Sequence, residues 1–203
     1  MPYGKFERIE EVSDTFGIIV KRASFVERKE LQADEFFLKR MRRALFNDVN
    51  FVNEDAIRQH IITPILDIVS DQYENLEVWS EVTYNVDPAL DLDGKPDYLI
   101  APYATNGGIA TPPLCVMEAK EKDWKKGWAQ ALAQMYAAAT QGTNRCYGVV
   151  TTGEFWQYSR LDHGEIFTRD PLKFSAIENL QNVLNTLNWL FDKASEQVQA
   201  TPT

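Results

Sequence analysis

Two short stretches, residues 113–119 and 146–151, are apolar almost without interruption: Leu114-Cys115-Val116-Met117 in the first, Cys146-Tyr147-Gly148-Val149-Val150 in the second. A strand with one wet face alternates apolar and polar residues. A strand lacking that alternation is covered on both sides. Between the two runs lie residues 125–141, rich in Ala and Gln and suited to a helix. The chain is thereby directed to an α/β domain, a central mixed β-sheet flanked by helices.

The remaining segments fit that class. Residues 15–20 (Thr15-Phe16-Gly17-Ile18-Ile19-Val20) read as a short strand. Residues 30–45 read as a helix, with Leu31, Phe36, Phe37, Met41 and Leu45 near helical spacing. Asn53 is a good N-cap, followed by Glu54-Asp55 where the helix dipole favours negative charge. Ile57, Ile61, Ile65 and Ile68 then form an apolar stripe to about Val69, and Pro64 inside it predicts a kink or break. From Leu76, the residues Val78, Ser80, Val82, Tyr84 and Val86 alternate as in a strand. Asp87-Pro88 and Asp93-Gly94 are turn chemistry. Strands are expected at 98–101, 113–119, 146–151 and 154–160, and at Ile166-Phe167. Asn106-Gly107-Gly108 marks a hairpin tip or loop, and Asp162-His163-Gly164 a turn. An amphipathic helix closes the chain over about 173–195, and residues 200–203 are expected to fray. Residues 1–50 form an N-terminal extension packed on a domain of residues 51–198, in one globular unit.

The 203 residues are 44% hydrophobic and carry a formal charge of −9. Such acidity weighs against strong independent binding to nucleic acid, which needs a basic surface. Two local basic clusters depart from it. Lys39, Arg40, Arg42 and Arg43 read as a solvated helix face. Lys120, Lys122, Lys125 and Lys126 lie beside the residues singled out below. Cys115 and Cys146 sit in apolar runs, as buried thiols of a reducing compartment do. No apolar stretch nears the roughly 20 residues of a membrane span. The expected location is the cytoplasm. His60 and His163 are far apart and lack ligand-like neighbours, which argues against zinc.

Chemistry concentrates where two expected strands carry acids that their own pattern does not require. Asp97 opens one strand, directly after Pro96. Glu118 and Lys120 close the next, and residues two apart on a strand share a face. If the strands pair, Asp97 reaches the same point. Two carboxylates hold a hard cation through oxygen, and such a cation polarises a phosphodiester. A lysine beside them orients water or offsets developing charge. A Glu-x-Lys pair on one face is by itself often a plain ion pair. The upstream Pro-Asp and the Gln-rich helix that follows give it weight.

The sequence resembles the PD-(D/E)xK nuclease superfamily, and within it the N-terminal nuclease domain of type I restriction enzyme motor subunits. Four segments carry the likeness: Asn53-Glu54-Asp55-Ala56-Ile57-Arg58 through Thr63-Pro64-Ile65-Leu66; Lys95-Pro96-Asp97-Tyr98-Leu99-Ile100; Pro113 through Lys120; and Tyr147 through Trp156. The resemblance implies a restriction-endonuclease-like core and Mg²⁺- or Mn²⁺-dependent hydrolysis of DNA. It implies metal ligation by Asp97, Glu118 and the Ala119 carbonyl, with Lys120 as the catalytic lysine. Glu54 matches an acid that completes or supports the metal site, and it equally suits the helix dipole. Gln130 and Gln134, one turn apart, both answer to a site glutamine; Tyr136 breaks the family spacing. Trp156 and Tyr158 are expected to pack beside the sheet. The acidic surface implies help from a partner protein or a homodimer. The competing expectation is a catalytically silent nuclease-fold module that binds DNA or protein.

Overall fold

The computed structural model describes residues 3–105, 107–110, 112–120 and 123–200. Asn106 of the expected hairpin tip, Lys122 of the second basic cluster and residues 201–203 of the expected frayed end lie outside them. In chain order the elements are α1 (Ile9–Phe16), β1 (Ile19–Arg22), α2 (Glu35–Leu45), α3 (Glu54–Ile57), α4 (Thr63–Ser70), β2 (Glu77–Ser80), β3 (Tyr98–Ala101) and β4 (Cys115–Ala119). Then come α5 (Trp124–Thr140), β5 (Arg145–Thr151), β6 (Phe155–Asp162), β7 (Ile166–Arg169), β8 (Phe174–Ser175) and α6 (Ala176–Ala200).

The strands form one mixed sheet in the order β1-β7-β6-β5-β4-β3-β2, with β8 added to β6. β2, β3 and β4 run antiparallel in turn, whereas β4 and β5 are parallel and joined through α5. A parallel pair needs a long crossover, and the Ala-rich helix provides it. β4 and β5 sit near the middle of the sheet and are buried but for Arg145, as their unbroken apolar runs require.

Each sheet face has its own core. On one, Tyr98, Ile100, Cys115, Met117, Val149 and Trp156 pack with residues of α2, α4 and α6. On the other, Leu99, Val116, Val150, Leu161 and Phe167 pack with α1 and α5. The N-terminal segment is part of both: Met41 and Leu45 enter the first core, Tyr3, Phe6, Val12 and Ile18 the second. Cys115 and Cys146 are free thiols, fully buried. No helix among the described residues is long and apolar enough to cross a membrane.

Several boundaries depart from expectation. The strand expected at 15–20 is instead the end of α1 followed by β1. Gly17, at φ 70°, takes the left-handed conformation that closes the helix and turns the chain into the strand. The helix expected from residue 30 begins at Glu35, because the Asp34 side chain accepts the Phe37 N–H and caps it there. The alternation of 76–86 forms a strand only to Ser80, where Glu81 takes a left-handed φ of 52°. The closing helix is interrupted at Asn179, whose backbone is extended and whose side chain accepts the Asn182 N–H. Pro64 stands in the first turn of α4, and the α-helix before it ends at Ile57. Its ring would clash with the His60 carbonyl in a regular helix. The chain instead widens into a π turn over Arg58–Ile62, in which the Thr63 N–H reaches the Arg58 carbonyl.

Candidate active site

The β3–β4 register pairs Tyr98 with Met117 and Leu99 with Val116. Carried one residue further, it sets Asp97 opposite Glu118. Both acids therefore share the face of Leu99 and Val116, the face that α5 covers, and Lys120 lies on it as well. The three side chains meet. Lys120 Nζ lies 3.0 Å from Glu118 Oε2 and 3.8 Å from Asp97 Oδ2. The Ala119 N–H donates to Asp97 Oδ2 at 2.8 Å, so the main chain of β4 holds Asp97 in place.

Exposure is graded across the group. The Glu118 side chain is 4% exposed, that of Lys120 12% and that of Asp97 18%. Burial, with the Asp97 charge second, pushes the Glu118 carboxyl up to about 7 against the opposing pull of Lys120 and Gln134. Burial lowers the Lys120 pKa, but Glu118, then Asp97, and finally Glu54 raise it by more. The net direction is upward and the ammonium is retained.

α5 supplies the roof. Gln134 donates from Nε2 to Glu118 Oε1 at 2.5 Å, and its own Oε1 is buried without a hydrogen-bond partner. Gln130, one turn earlier, is half-buried, and its Oε1 is likewise without a partner. The structure thus brings Gln134, rather than Gln130, onto the carboxylate. Tyr136 stacks on Phe16 with ring centres 4.3 Å apart, away from the acids. Trp156 and Tyr158 are fully buried beside the sheet. Glu54 stands on the exposed first turn of α3, and its charge reaches Lys120.

Three residues at this site escape a reading of the sequence alone. Arg58, in the π turn, donates from one nitrogen to Asp97 Oδ1 and Glu81 Oε1, both at 3.1 Å, and from the other to Asp55 Oδ1 at 2.7 Å. Burial lowers its pKa while Asp97 and Glu81 raise it further, for a net rise. Its signal was in the sequence: Arg58 occupies the helical stripe of Ile62 and Ile65, both buried. Glu81 gave none, since it fitted the alternation of a longer strand. Its N–H donates to the Asp97 carbonyl at 3.1 Å, so its strained backbone ends β2 at the point where Asp97 must be held. Gly127 is the third. A Cβ there would lie 2.9 Å from Lys120 Cγ and 3.0 Å from Val150 Cγ1. Only glycine lets α5 come this close to the lysine.

Among the described residues no group of three or more His, Cys, Asp or Glu is placed to hold a metal ion. Among the described residues the side-chain donors on hand are two carboxylates, Asp97 and Glu118, with the Ala119 carbonyl next to Glu118 in sequence. That set suits Mg²⁺, which binds through one or two carboxylates and keeps several waters, and does not suit zinc. The orphaned Gln134 Oε1 beside Glu118 is a ready acceptor for a water of such an ion.

A scan against protein-family models finds no match for the chain. A search among curated proteins finds none.

Proposed function

We propose that this protein is a metal-dependent phosphodiesterase that hydrolyses DNA on a restriction-endonuclease-like core. One observation carries the reading: Asp97 and Glu118 face each other across β3 and β4, and Lys120 Nζ lies within 3.8 Å of both. The mixed sheet flanked by helices supports it, as do the shallow, partly exposed position of Asp97 and Lys120, which a polymer can approach from outside.

In this reading Asp97, Glu118 and the Ala119 carbonyl would hold the cation, and Mg²⁺ or Mn²⁺ bound there would supply polarisation of the phosphodiester and a lowered pKa of water. Glu118 would release its proton to solvent to serve as a ligand, which its position near pH 7 allows. Lys120 then turns its ammonium from the carboxylates toward the phosphoryl oxygens and offsets the charge that grows on them. The water oxygen would bond to phosphorus, its proton passing to solvent, as the bond to the 3′ oxygen breaks and that oxygen takes a proton from solvent, leaving a 5′-phosphate and a 3′-hydroxyl. Arg58, Glu81 and the Ala119 N–H keep Asp97 from swinging away. Gln134 fixes one oxygen of Glu118.

A second reading, a catalytically silent module that binds DNA or protein, draws on one observation. Both carboxylates are already matched by cations of the chain itself, Arg58 and Lys120. Incubation with supercoiled plasmid in Mg²⁺, in Mn²⁺ and in EDTA separates the two. Metal-dependent nicking that disappears in Lys120→Ala supports the hydrolase. An inert wild-type protein under every condition overturns it.

A further inference from the structure

Away from the acid pair, on the same sheet face, the chain gathers four cations from four different segments. Arg22 ends β1, Arg169 ends β7, Lys125 opens α5 and Lys173 precedes β8. With Trp124 and Trp128 they line one cavity of about 460 Å³, whose wall holds no acid among the described residues. For a protein of net charge −9 this is an unusual concentration of one sign.

The arrangement works against the fold. Arg22 and Arg169 are direct partners in the parallel β1–β7 register. Like charges in that position destabilise a sheet. Burial, with Arg22 next, lowers the Arg169 pKa, and Glu10 opposes them. Among the described residues none of the four cations has a carboxylate within ion-pair distance. Asp170, next to Arg169 in sequence, is fully buried and already accepts the N–H groups of Phe25, Val26 and Leu172. Two of the cations rest on indole rings: Lys173 Nζ is 4.1 Å from the Trp124 ring centre, and Arg169 Cζ 5.9 Å from that of Trp128. Such contacts orient a cation without neutralising it.

The pocket is aligned with the candidate active site. Glu118 pairs with Val150 on β5, and Val150 with Gln157 on β6, which lines the pocket and accepts the Trp128 indole N–H at 3.2 Å. Arg169 lies on β7 opposite Ser159, two residues further along β6 than Gln157. Three strand spacings separate Glu118 from β7, roughly 15 Å. A DNA strand covers that distance in about four to five steps.

We infer that the pocket formed by Arg22, Lys125, Arg169 and Lys173 binds the phosphate backbone of duplex DNA, holding the substrate some steps away from the bond presented to Asp97, Glu118 and Lys120. This assignment rests on the proposed activity for its choice of ligand, but binding can be measured without cleavage. The test is fluorescence anisotropy of a short labelled DNA duplex in EDTA, from about 50 to about 200 mM salt. The exposed pair Arg22→Ala/Lys173→Ala is expected to weaken binding at least ~10-fold and to flatten the log–log salt slope by about 2, near one unit per lost phosphate contact. Arg40→Ala/Arg43→Ala, on α2, should leave both unchanged. Unaltered affinity and slope in the first variant overturn the inference, as does equal loss in both, or a wild-type protein that binds no duplex. Melting temperatures of both variants check that the fold is intact. Binding that depends on the pocket, without any cleavage in Mg²⁺, keeps this inference and defeats the hydrolase reading. Cleavage whose KM ignores the pocket does the reverse.

Discussion

The acid pair at Asp97 and Glu118 and the cation pocket around Arg22 and Arg169 lie on one face of one sheet, yet they handle charge in opposite ways. At the first, each charge has a partner: Lys120 on Glu118, Arg58 on Asp97, main-chain and amide donors on the remaining oxygens. At the second, like charges stand side by side with indoles beneath them. A matched cluster keeps its geometry in the absence of any ligand. An unmatched one lowers its energy only when a counter-charge arrives from outside. The contrast separates a site built for exact placement of a few atoms from a surface built to attract a polyanion, and each substitution below breaks one side of it.

The largest effect is expected from the matched side. Lys120→Ala should reduce plasmid nicking by on the order of 10²–10³-fold or more, read as initial rate in Mg²⁺. Asp97→Asn should do the same while keeping an acceptor for the Ala119 N–H, so that circular dichroism and melting stay near wild type. Asp97→Ala is a poorer choice. It leaves Arg58 and that N–H without their partner and should cost about 1–3 kcal/mol of stability. The loss of these partners outweighs the repulsion on Glu118 that the substitution relieves.

Next is the pH dependence of Glu118. Its folded value of about 7 lies above the ordinary 4.5. The folded state therefore holds this proton more tightly than the unfolded state. The stability it contributes is complete below pH 4.5 and is lost as pH rises through 7. Glu118→Gln has no such proton. In EDTA, its stability relative to wild type should improve by about 3 kcal/mol between pH 4 and pH 8, measured by urea unfolding.

Gly127→Ala follows. Helix propensity alone favours alanine by about 1 kcal/mol. A net loss of about 1 kcal/mol, together with a roughly 10-fold slower reaction, is expected because the new methyl group displaces Lys120. The smallest effect distinguishes the two glutamines. Gln134→Ala removes a hydrogen bond that lowers the Glu118 pKa, so the pH midpoint of metal binding should move upward. Gln130→Ala should leave that midpoint in place, as Gln130 does not touch Glu118.

Much of this was legible in the sequence, for physical reasons that differ by residue. The unbroken apolar runs gave β4 and β5, because a strand covered on both faces has no room for polar residues. Asn53 gave the start of α3, since a cap is a local matter. Asp97, Glu118 and Lys120 could be found because strand periodicity sets their faces. Arg58 and Glu81 could not be assigned, since their roles depend on a π turn and on one left-handed residue that bring distant segments together. The cation pocket was invisible for the same reason. Arg22 and Arg169 are 147 positions apart in sequence and meet only through the β1–β7 register. The basic cluster at 120–126 divides: Lys120 faces the acids, while Lys125 joins the pocket and Lys126 pairs with Glu7 at 2.7 Å.

The central claim, that Asp97 and Glu118 jointly hold a divalent cation next to Lys120, is tested most directly by crystals grown with Mn²⁺ and measured for anomalous scattering. The expected result is a peak bridging the two carboxylates, with Lys120 Nζ withdrawn from Glu118 Oε2. A map with no peak there, and with the Lys120–Glu118 contact still at 3.0 Å, would contradict it.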